Sequence, residues 1–351
     1  MTRLLAAALA FVLVAALPAQ ARTFRFADQG DVVSMDPYFF NESFLINFTG
    51  NIYESLTGRG KKLEVTPELA TDWKQTAPTV WRFKLRKGVK FHNGDPFTAD
   101  DVLASFARVT HETSPLKGNL PAYKSSKKID DYTVDVEVNG PYPLLLNDLT
   151  NIYILDKKWM EANNALLPTD SSKGVKGYAT DNANGTGPFR VESRQPDAKT
   201  VLAANPDWWD KPKHNIGRIE FTPVTSAATR VAALLSGQVD YTNEAPLQDL
   251  ERLSASPDLK VLQTNELRTI IFVLNMGDKL FESDVKDKNP LQDKRVREAL
   301  YRAIDIDAIS KRAMRGLSRP TGAVVAPAIP GYKPEQDQRL PFDVEGAKKL
   351  L

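Results

Sequence analysis

The chain has 351 residues, with 46 Lys and Arg against 44 Asp and Glu, three His, no Cys and a formal net charge of +2. A near-balanced charge, with basic residues scattered between apolar ones, excludes a nucleic-acid footprint. The lack of cysteine excludes disulfides, thiol catalysis, cysteine-based zinc sites and a lipidated cysteine behind a leader.

In chain order, Arg3, the apolar run Leu4 to Leu17 and the step Ala19-Gln20-Ala21 read as a secretory signal cleaved after Ala21. The run is about 14 residues against roughly 20 for a membrane span, too short for a comfortable anchor. Removing Arg3 leaves the remainder at about +1, and no second long apolar run follows. Thr23 to Ala27 alternates and predicts a first strand. Gly30 and Asp31 begin a loop that runs into Ser34-Met35-Asp36-Pro37. Asn41 to Leu56 carries Phe44, Leu45, Phe48, Ile52 and Leu56 at helical spacing.

The run Val80 to Arg108 is the most informative part of the chain. Trp81, Phe83 and Leu85 alternate with Arg82 and Lys84 as in a half-buried strand. Gly88 and Asn93-Gly94-Asp95-Pro96 supply turn chemistry. Thr98 caps a helix, with Asp101 as a weaker capping-box partner and Val102, Leu103, Phe106 and Val109 on its apolar face. Tyr132 to Val138 reads as a strand, Asn139 to Pro143 as a turn, and Pro168 to Asn184 as a polar exit from a self-contained stretch.

Gly185-Thr186-Gly187-Pro188-Phe189 leads into strands near Phe189 to Val191, Thr200 to Ala203 and Arg218 to Phe221. Ser226 caps a helix that Gly237 stops, Val239 to Thr242 resumes a strand, and Pro246 opens a further helix. This alternation argues for an α/β lobe. Leu259 to Gln263 and Thr269 to Asn275 are expected as two strands crossing between lobes. Asp293 to Ile304 is a helix, Asp305 caps the next one, which ends near Gly316, and Thr321 to Tyr332 is a loop. Asp343 to Leu351 starts a new helical pattern and is expected to be cut short.

Many of these motifs occur in an order that resembles the large extracellular solute-binding proteins of family 5, which feed peptide, dipeptide and nickel ABC transporters. Met35-Asp36-Pro37, Tyr53 to Leu56, Pro67 to Trp73, Val80 to Arg108, Gly185 to Phe189, Asn205 to Trp209, Leu235 to Asp240, Lys294 to Ala299, Ala303 to Asp305 and Phe342 to Leu351 all carry the likeness. The resemblance implies an α/β, periplasmic binding protein-like fold of two lobes (class II type), with an extra subdomain inserted in the first. Residues 1–21 are then the signal peptide, 22–57 and 179–268 lobe I, 58–178 the insert, and 269–351 the first part of an incomplete lobe II. It further implies a periplasmic, monomeric carrier that is not an enzyme. It needs no cofactor and passes a peptide or other small solute to ABC permease subunits in the inner membrane.

A peptide buried between lobes needs partners for each N–H and C=O. Ligand contacts are expected at Gly30, Asp31 and Val32 after the first strand, where an ordinary turn is the plainer alternative. Phe40 and Asn41 lie next along the same edge. Glu42 suits a ligand amine, and equally a helix start. Tyr241 and Thr242, at a strand end, take the usual place for ligand contact in open α/β sheets, and Asn275 is the candidate from lobe II. Trp73, Trp81 and Trp159 read as core, and Trp208 and Trp209 as a packed turn. Gly185-Thr186-Gly187 lacks the third glycine of a dinucleotide fingerprint, and His92, His111 and His214 do not have metal-ligand spacing. No catalytic or metal residue is expected. Nickel-chelate, opine or sugar ligands remain alternatives, and a secreted hydrolase using paired carboxylates is the alternative of another class.

Overall fold

The computed structural model describes residues 21–170, 176–280, 283–285, 287–329 and 331–351. Residues 1–20, which hold most of the expected signal peptide, lie outside the described residues, as does part of the expected 168–184 exit. The chain folds as two compact units that meet in sequence at Glu244 and Ala245.

The first unit holds β1 (Arg22–Asp28), α1 (Ser43–Thr49), β2 (Thr57–Arg59), β3 (Val65–Pro67), β4 (Ala70–Ala77), β5 (Val80–Leu85) and α2 (Ala99–Val109). These are followed by β6 (Tyr123–Asp130), β7 (Thr133–Val138), α3 (Leu145–Asp148), α4 (Lys157–Ala162), β8 (Phe189–Gln195), β9 (Lys199–Ala204), β10 (Ile216–Pro223), α5 (Ala227–Leu235) and β11 (Tyr241–Thr242). One sheet has the order β11-β1-β10-β9-β8. Within it β1 runs parallel to both β10 and β11, and β9 is antiparallel to its two neighbours. A second sheet, β4-β5-β7-β6, is wholly antiparallel, and β2 pairs with β3 alone.

The period-2 residues of Val80 to Arg108 do what alternation requires. Phe83 and Leu85 of β5 are buried with Val134, Val136 and Val138 of β7, while Arg82 pairs with Asp135 on the other face at 2.7 Å. α2 lays Val102, Phe106 and Val109 into the same core. Its capping box is formed: the Asp101 carboxylate accepts from Thr98 N at 2.7 Å and Thr98 Oγ1 at 3.2 Å. In the five-stranded sheet Phe26 and Phe221 lie 5.2 Å apart ring to ring and meet Phe44 of α1 at 6.2 and 5.6 Å.

α1 is shorter than the spacing over Asn41 to Leu56 suggests. It ends before Gly50, and Ile52, Tyr53 and Leu56 are buried by a non-helical passage. Helical spacing and burial coincide there because the chain crosses the core, with Ile52 C=O accepting from Gly187 N at 2.9 Å. Strand β11 is likewise two residues long, where Val239 to Thr242 was expected.

The second unit contains α6 (Leu250–Ser254), α7 (Lys294–Arg302), α8 (Ile306–Ala308) and α9 (Val344–Leu350). Asp293, Asp305 and Asp343 each accept a backbone N–H at 2.8 Å as N-caps. α8 continues as a wider turn over Ile309–Ala313 and stops at Gly316, whose φ is +75°. Asp337 accepts from Arg319, Thr321, Gly322 N and Tyr332 at 2.6 to 2.7 Å, tying down the Pro/Gly loop. The two expected crossing strands are not formed. Leu259 to Asn275 has no regular secondary structure and no ladder partners among the described residues, and Ile270, Phe272 and Val273 are 84 to 85% exposed. β-branched and aromatic residues favour a pleated surface, but a strand exists only against a neighbour that takes its N–H and C=O groups.

Candidate functional site

The parallel strands β1, β10 and β11 end on one edge of the five-stranded sheet, the edge where open α/β sheets take ligands. Three devices fix it. Asp28 C=O accepts from Val224 N at 2.7 Å and carries the β1–β10 pairing past the strand ends. Gly237, at φ +70°, stops α5 and lets the chain turn into β11. Asp240 then accepts from Arg25 N, Nε and Nη2 at 2.7 to 3.0 Å, so β11 lies beside β1 with Thr242 opposite Ala27. Arg25 holds the Asp240 carboxyl below the usual carboxylate range.

The loop leaving β1 carries Gly30, Asp31 and Val32. A Cβ on Gly30 would meet nothing within 4 Å, so its backbone faces open space. Asp31 and Val32 are clamped by Arg194 at the end of β8. Its guanidinium donates to Val32 C=O, to Thr200 Oγ1 at 3.1 Å and to Asp181 Oδ1 at 3.1 Å, and lies 3.6 Å from Asp31 Oδ2. Asp31 Oδ2 also accepts from Asp197 N at 2.8 Å, while its Oδ1 is buried without a hydrogen-bond partner. Val32 is wholly buried, its side chain in the core and its C=O taken up by Arg194, so it presents no open surface.

Further along, the loop is knotted around Asp36. Its carboxylate accepts from Arg108 Nη1 and Nη2 at 2.9 and 2.5 Å and from Tyr38 N at 3.0 Å. Both charged side chains have zero exposure. Arg108 Nε donates to Ala165 C=O at 2.9 Å, Tyr38 OH donates to Tyr153 C=O, and Met35 N donates to Thr180 C=O at 2.7 Å. Phe40 emerges from this knot 41% exposed, edge-on to Phe39 at 4.7 Å. Asn41 exchanges side-chain hydrogen bonds with Asn119 at 2.9 and 3.2 Å. Glu42 is a helix cap, accepting from Phe44 N and Leu45 N at 2.7 and 2.8 Å, so both its oxygens serve α1. Tyr241 is 40% exposed and leans on Phe26 at 5.3 Å, and burial with the nearby Asp28 charge pushes its hydroxyl pKa up. Thr242 Oγ1 donates to Asn243 C=O at 3.2 Å.

The structure therefore gathers Gly30, Asp31, Val32, Tyr241 and Thr242 at one sheet edge, with Phe40 and Asn41 on the same loop. Asn275 belongs to the second unit, where its Oδ1 accepts from Gly277 N at 2.9 Å and its C=O accepts from Asn289 Nδ2 at 2.9 Å. Reading the sequence missed Arg194 and Asp181, which stand in no motif. It had Asp36 and Arg108 as marks of resemblance, with nothing to pair them. The arrangement offers open backbone at Gly30, a half-exposed aromatic ring on the loop in Phe40 and another on β11 in Tyr241, which suits binding of an extended polar molecule.

Other motif residues are held in the scaffold. Trp208 and Trp209 both donate indole N–H groups to buried Glu54, at 2.8 to 3.0 Å, and Thr186 Oγ1 donates to it at 2.7 Å. Asp156 accepts from Asn93 Nδ2 and Asn184 Nδ2, both at 2.9 Å. His92 Nε2 is 3.1 Å from Gly187 O, His111 is bonded to Thr113, and His214 stacks on Phe189.

This sheet and loop plan is that of a periplasmic binding protein. A solved structure of the ABC transporter-associated periplasmic binding protein DppA from Helicobacter pylori, in complex with the peptide STSA, matches with a TM-score of 0.76. It is 25% identical, with 94% of this chain and 65% of that one covered. Residues 64–351 match the model of the bacterial extracellular solute-binding proteins, family 5 Middle, and the chain belongs to that family. Heme-binding protein A of Haemophilus influenzae is 28% identical over 82% of this chain and 53% of its own length. The glutathione-binding protein GsiB of Salmonella choleraesuis is 26% identical over 96% and 62%. The chain thus spans between half and two thirds of the length of these curated relatives.

Proposed function

We propose that this chain is the substrate-binding component of an ABC importer. It is exported to the periplasm with its signal removed after Ala21, and it captures a peptide or dipeptide for the membrane permease without chemical turnover. In this reading residues 22–57 and 179–268 form lobe I, 58–178 its insert, and 269–351 the first part of lobe II. The ligand meets Gly30, Asp31, Val32, Phe40, Asn41, Tyr241 and Thr242 from the first lobe and Asn275 from the second. Closure of lobes on a ligand would give the permease a state to read.

The observation that carries the reading is the Gly30 to Val32 loop, clamped by Arg194 at the carboxyl edge of parallel strands in a chain of family 5. A backbone left open at Gly30, on an edge that also carries the part-exposed Tyr241, suits a peptide, whose N–H and C=O groups need partners on burial. The likeness to a heme-binding protein favours a non-peptide solute as the second reading. Mass spectrometry of small molecules retained by the purified protein tests both, together with thermal stabilisation by a dipeptide mixture. A retained dipeptide or oligopeptide that raises Tm and is recovered intact supports the proposal. A retained heme or metal chelate selects the second reading, and release of cleaved product overturns the carrier role.

A further inference from the structure

The sequence contains three Asn-Gly steps, at Asn93, Asn139 and Asn184. In such a step the glycine nitrogen can attack the asparagine side chain, because no Cβ hinders the approach. Two things prevent it in a folded chain: a locked amide side chain and an engaged glycine N–H.

Both locks are present at two of the three sites. Asn93 Nδ2 donates to Asp95 Oδ2 and Asp156 Oδ2 at 2.9 Å, its Oδ1 accepts from Asp95 N at 3.0 Å, and Gly94 N donates to Phe91 C=O at 2.8 Å. Asn184 is buried. Its Nδ2 donates to Asp156 Oδ2 at 2.9 Å and its Oδ1 accepts from Asn93 N at 3.0 Å. Gly185 N donates to His92 Nδ1 at 3.4 Å, and its α-carbon is packed so closely that a Cβ would fall 2.0 Å from Ile52 O. A single carboxylate, Asp156, therefore restrains both asparagines.

Asn139 has neither lock. It is exposed in the turn after β7, its side chain makes one long bond, Nδ2 to Tyr123 C=O at 3.4 Å, and Gly140 N donates to no protein acceptor among the described residues. Pro141 follows, so the next residue has no N–H to order the turn. A Cβ on Gly140 would meet nothing within 4 Å, which leaves the peptide free to move toward the side chain.

We propose that Asn139 is a site of spontaneous deamidation, to which Asn93 and Asn184 are protected by the fold. The Gly140 nitrogen forms a bond to Asn139 Cγ, the Cγ–Nδ2 bond breaks, and the side-chain nitrogen leaves as ammonia with the proton given up by the Gly140 amide. Water then opens the cyclic imide at either carbonyl, yielding aspartate or, with an extra methylene in the main chain, isoaspartate. Each event adds one negative charge beside the end of β7.

The full 351-residue chain is incubated folded at mildly alkaline pH, and its peptides are mapped by mass spectrometry with fragmentation that separates isoaspartate from aspartate. Asn139 is expected to react about tenfold or more faster than Asn93 and Asn184. Gly140→Ala slows Asn139 to their level without altering the fold, and denaturant brings the three sites to similar rates. Equal rates in the folded chain, or no effect of Gly140→Ala, overturn the assignment. Retained ligand plays no part in the readout.

Discussion

Asp36 and Arg108 lie 72 positions apart, yet they form the most demanding contact in the first unit. Each ion has lost its water entirely, and each is restored by partners: Tyr38 N for the carboxylate, Ala165 C=O and the Tyr38 ring, 5.3 Å away, for the guanidinium. Pairing in a dry site roughly repays desolvation when geometry is bidentate, whereas removing one partner strands the other. Asp36→Asn is expected to cost about 3–5 kcal/mol, read from urea denaturation, because Arg108 stays charged and buried with its counter-ion gone. The double change Asp36→Leu with Arg108→Met should recover most of that loss. A single variant within about 1 kcal/mol of the parent would show that water or a rearranged loop replaces the carboxylate. The pair sits between Val32 and Phe40, so it also decides how the loop after β1 stands on the sheet edge.

Elements in the first unit are joined through buried carboxylates more than through their caps. Glu54 precedes β2, Thr186 precedes β8, Trp208 and Trp209 follow β9, and the four meet through the hydrogen bonds of one side chain. Arg86, after β5, adds its guanidinium 3.8 Å above the Trp209 ring. Burial, and then the neighbouring Glu68 charge, push Glu54 up to about 7, against the pull of its three donors. A carboxyl raised in the folded state binds its proton more tightly there than in the unfolded chain. Its contribution is complete below about pH 4.5 and is lost as pH rises through about 7, up to about 3 kcal/mol in all. His92 works oppositely: burial lowers it to about 4, so its contribution is present above its ordinary range near 6.5 and is lost as pH falls. The measurement is the difference in urea midpoint between parent and Glu54→Gln across that window. Parent stability should fall with rising pH relative to the variant, and parallel curves would show that Glu54 is ionised throughout, held by Trp208, Trp209 and Thr186.

On the scale of the whole molecule, the two units differ in how their chain is secured. The first has two large sheets and the β2–β3 pair sharing one core. The second has a long passage without regular secondary structure, Leu259 to Asn275, in which apolar side chains stand in solvent. Proteases cut where backbone hydrogen bonds and burial are least. Brief trypsin or chymotrypsin digestion should therefore cleave first between Lys260 and Phe272 and leave a resistant fragment reaching back through β11. A first cut inside residues 22–244 would contradict this ranking. Much of the plan was legible beforehand because its causes are local. Alternation produced β5 and β7, Thr98 with Asp101 produced the start of α2, and Ser226 with Gly237 bounded α5. Where the cause lay elsewhere in the chain, reading failed: Ile52 and Leu56 are buried without a helix, Thr269 to Asn275 has strand residues but no ladder neighbour among the described residues, and Arg194 stands in no motif. The candidate edge was legible only as far as Gly30 to Val32 and Tyr241 with Thr242 follow strand ends. By itself the sequence determined the family and those elements whose causes are local, such as β5, β7, α2 and α5, because periodicity and capping act within a few residues. Only the tertiary structure decided that Arg194 clamps the loop, that Arg108 neutralises Asp36 and that Glu54 collects two tryptophans. Desolvation makes such pairings worth having only after distant segments have been buried together.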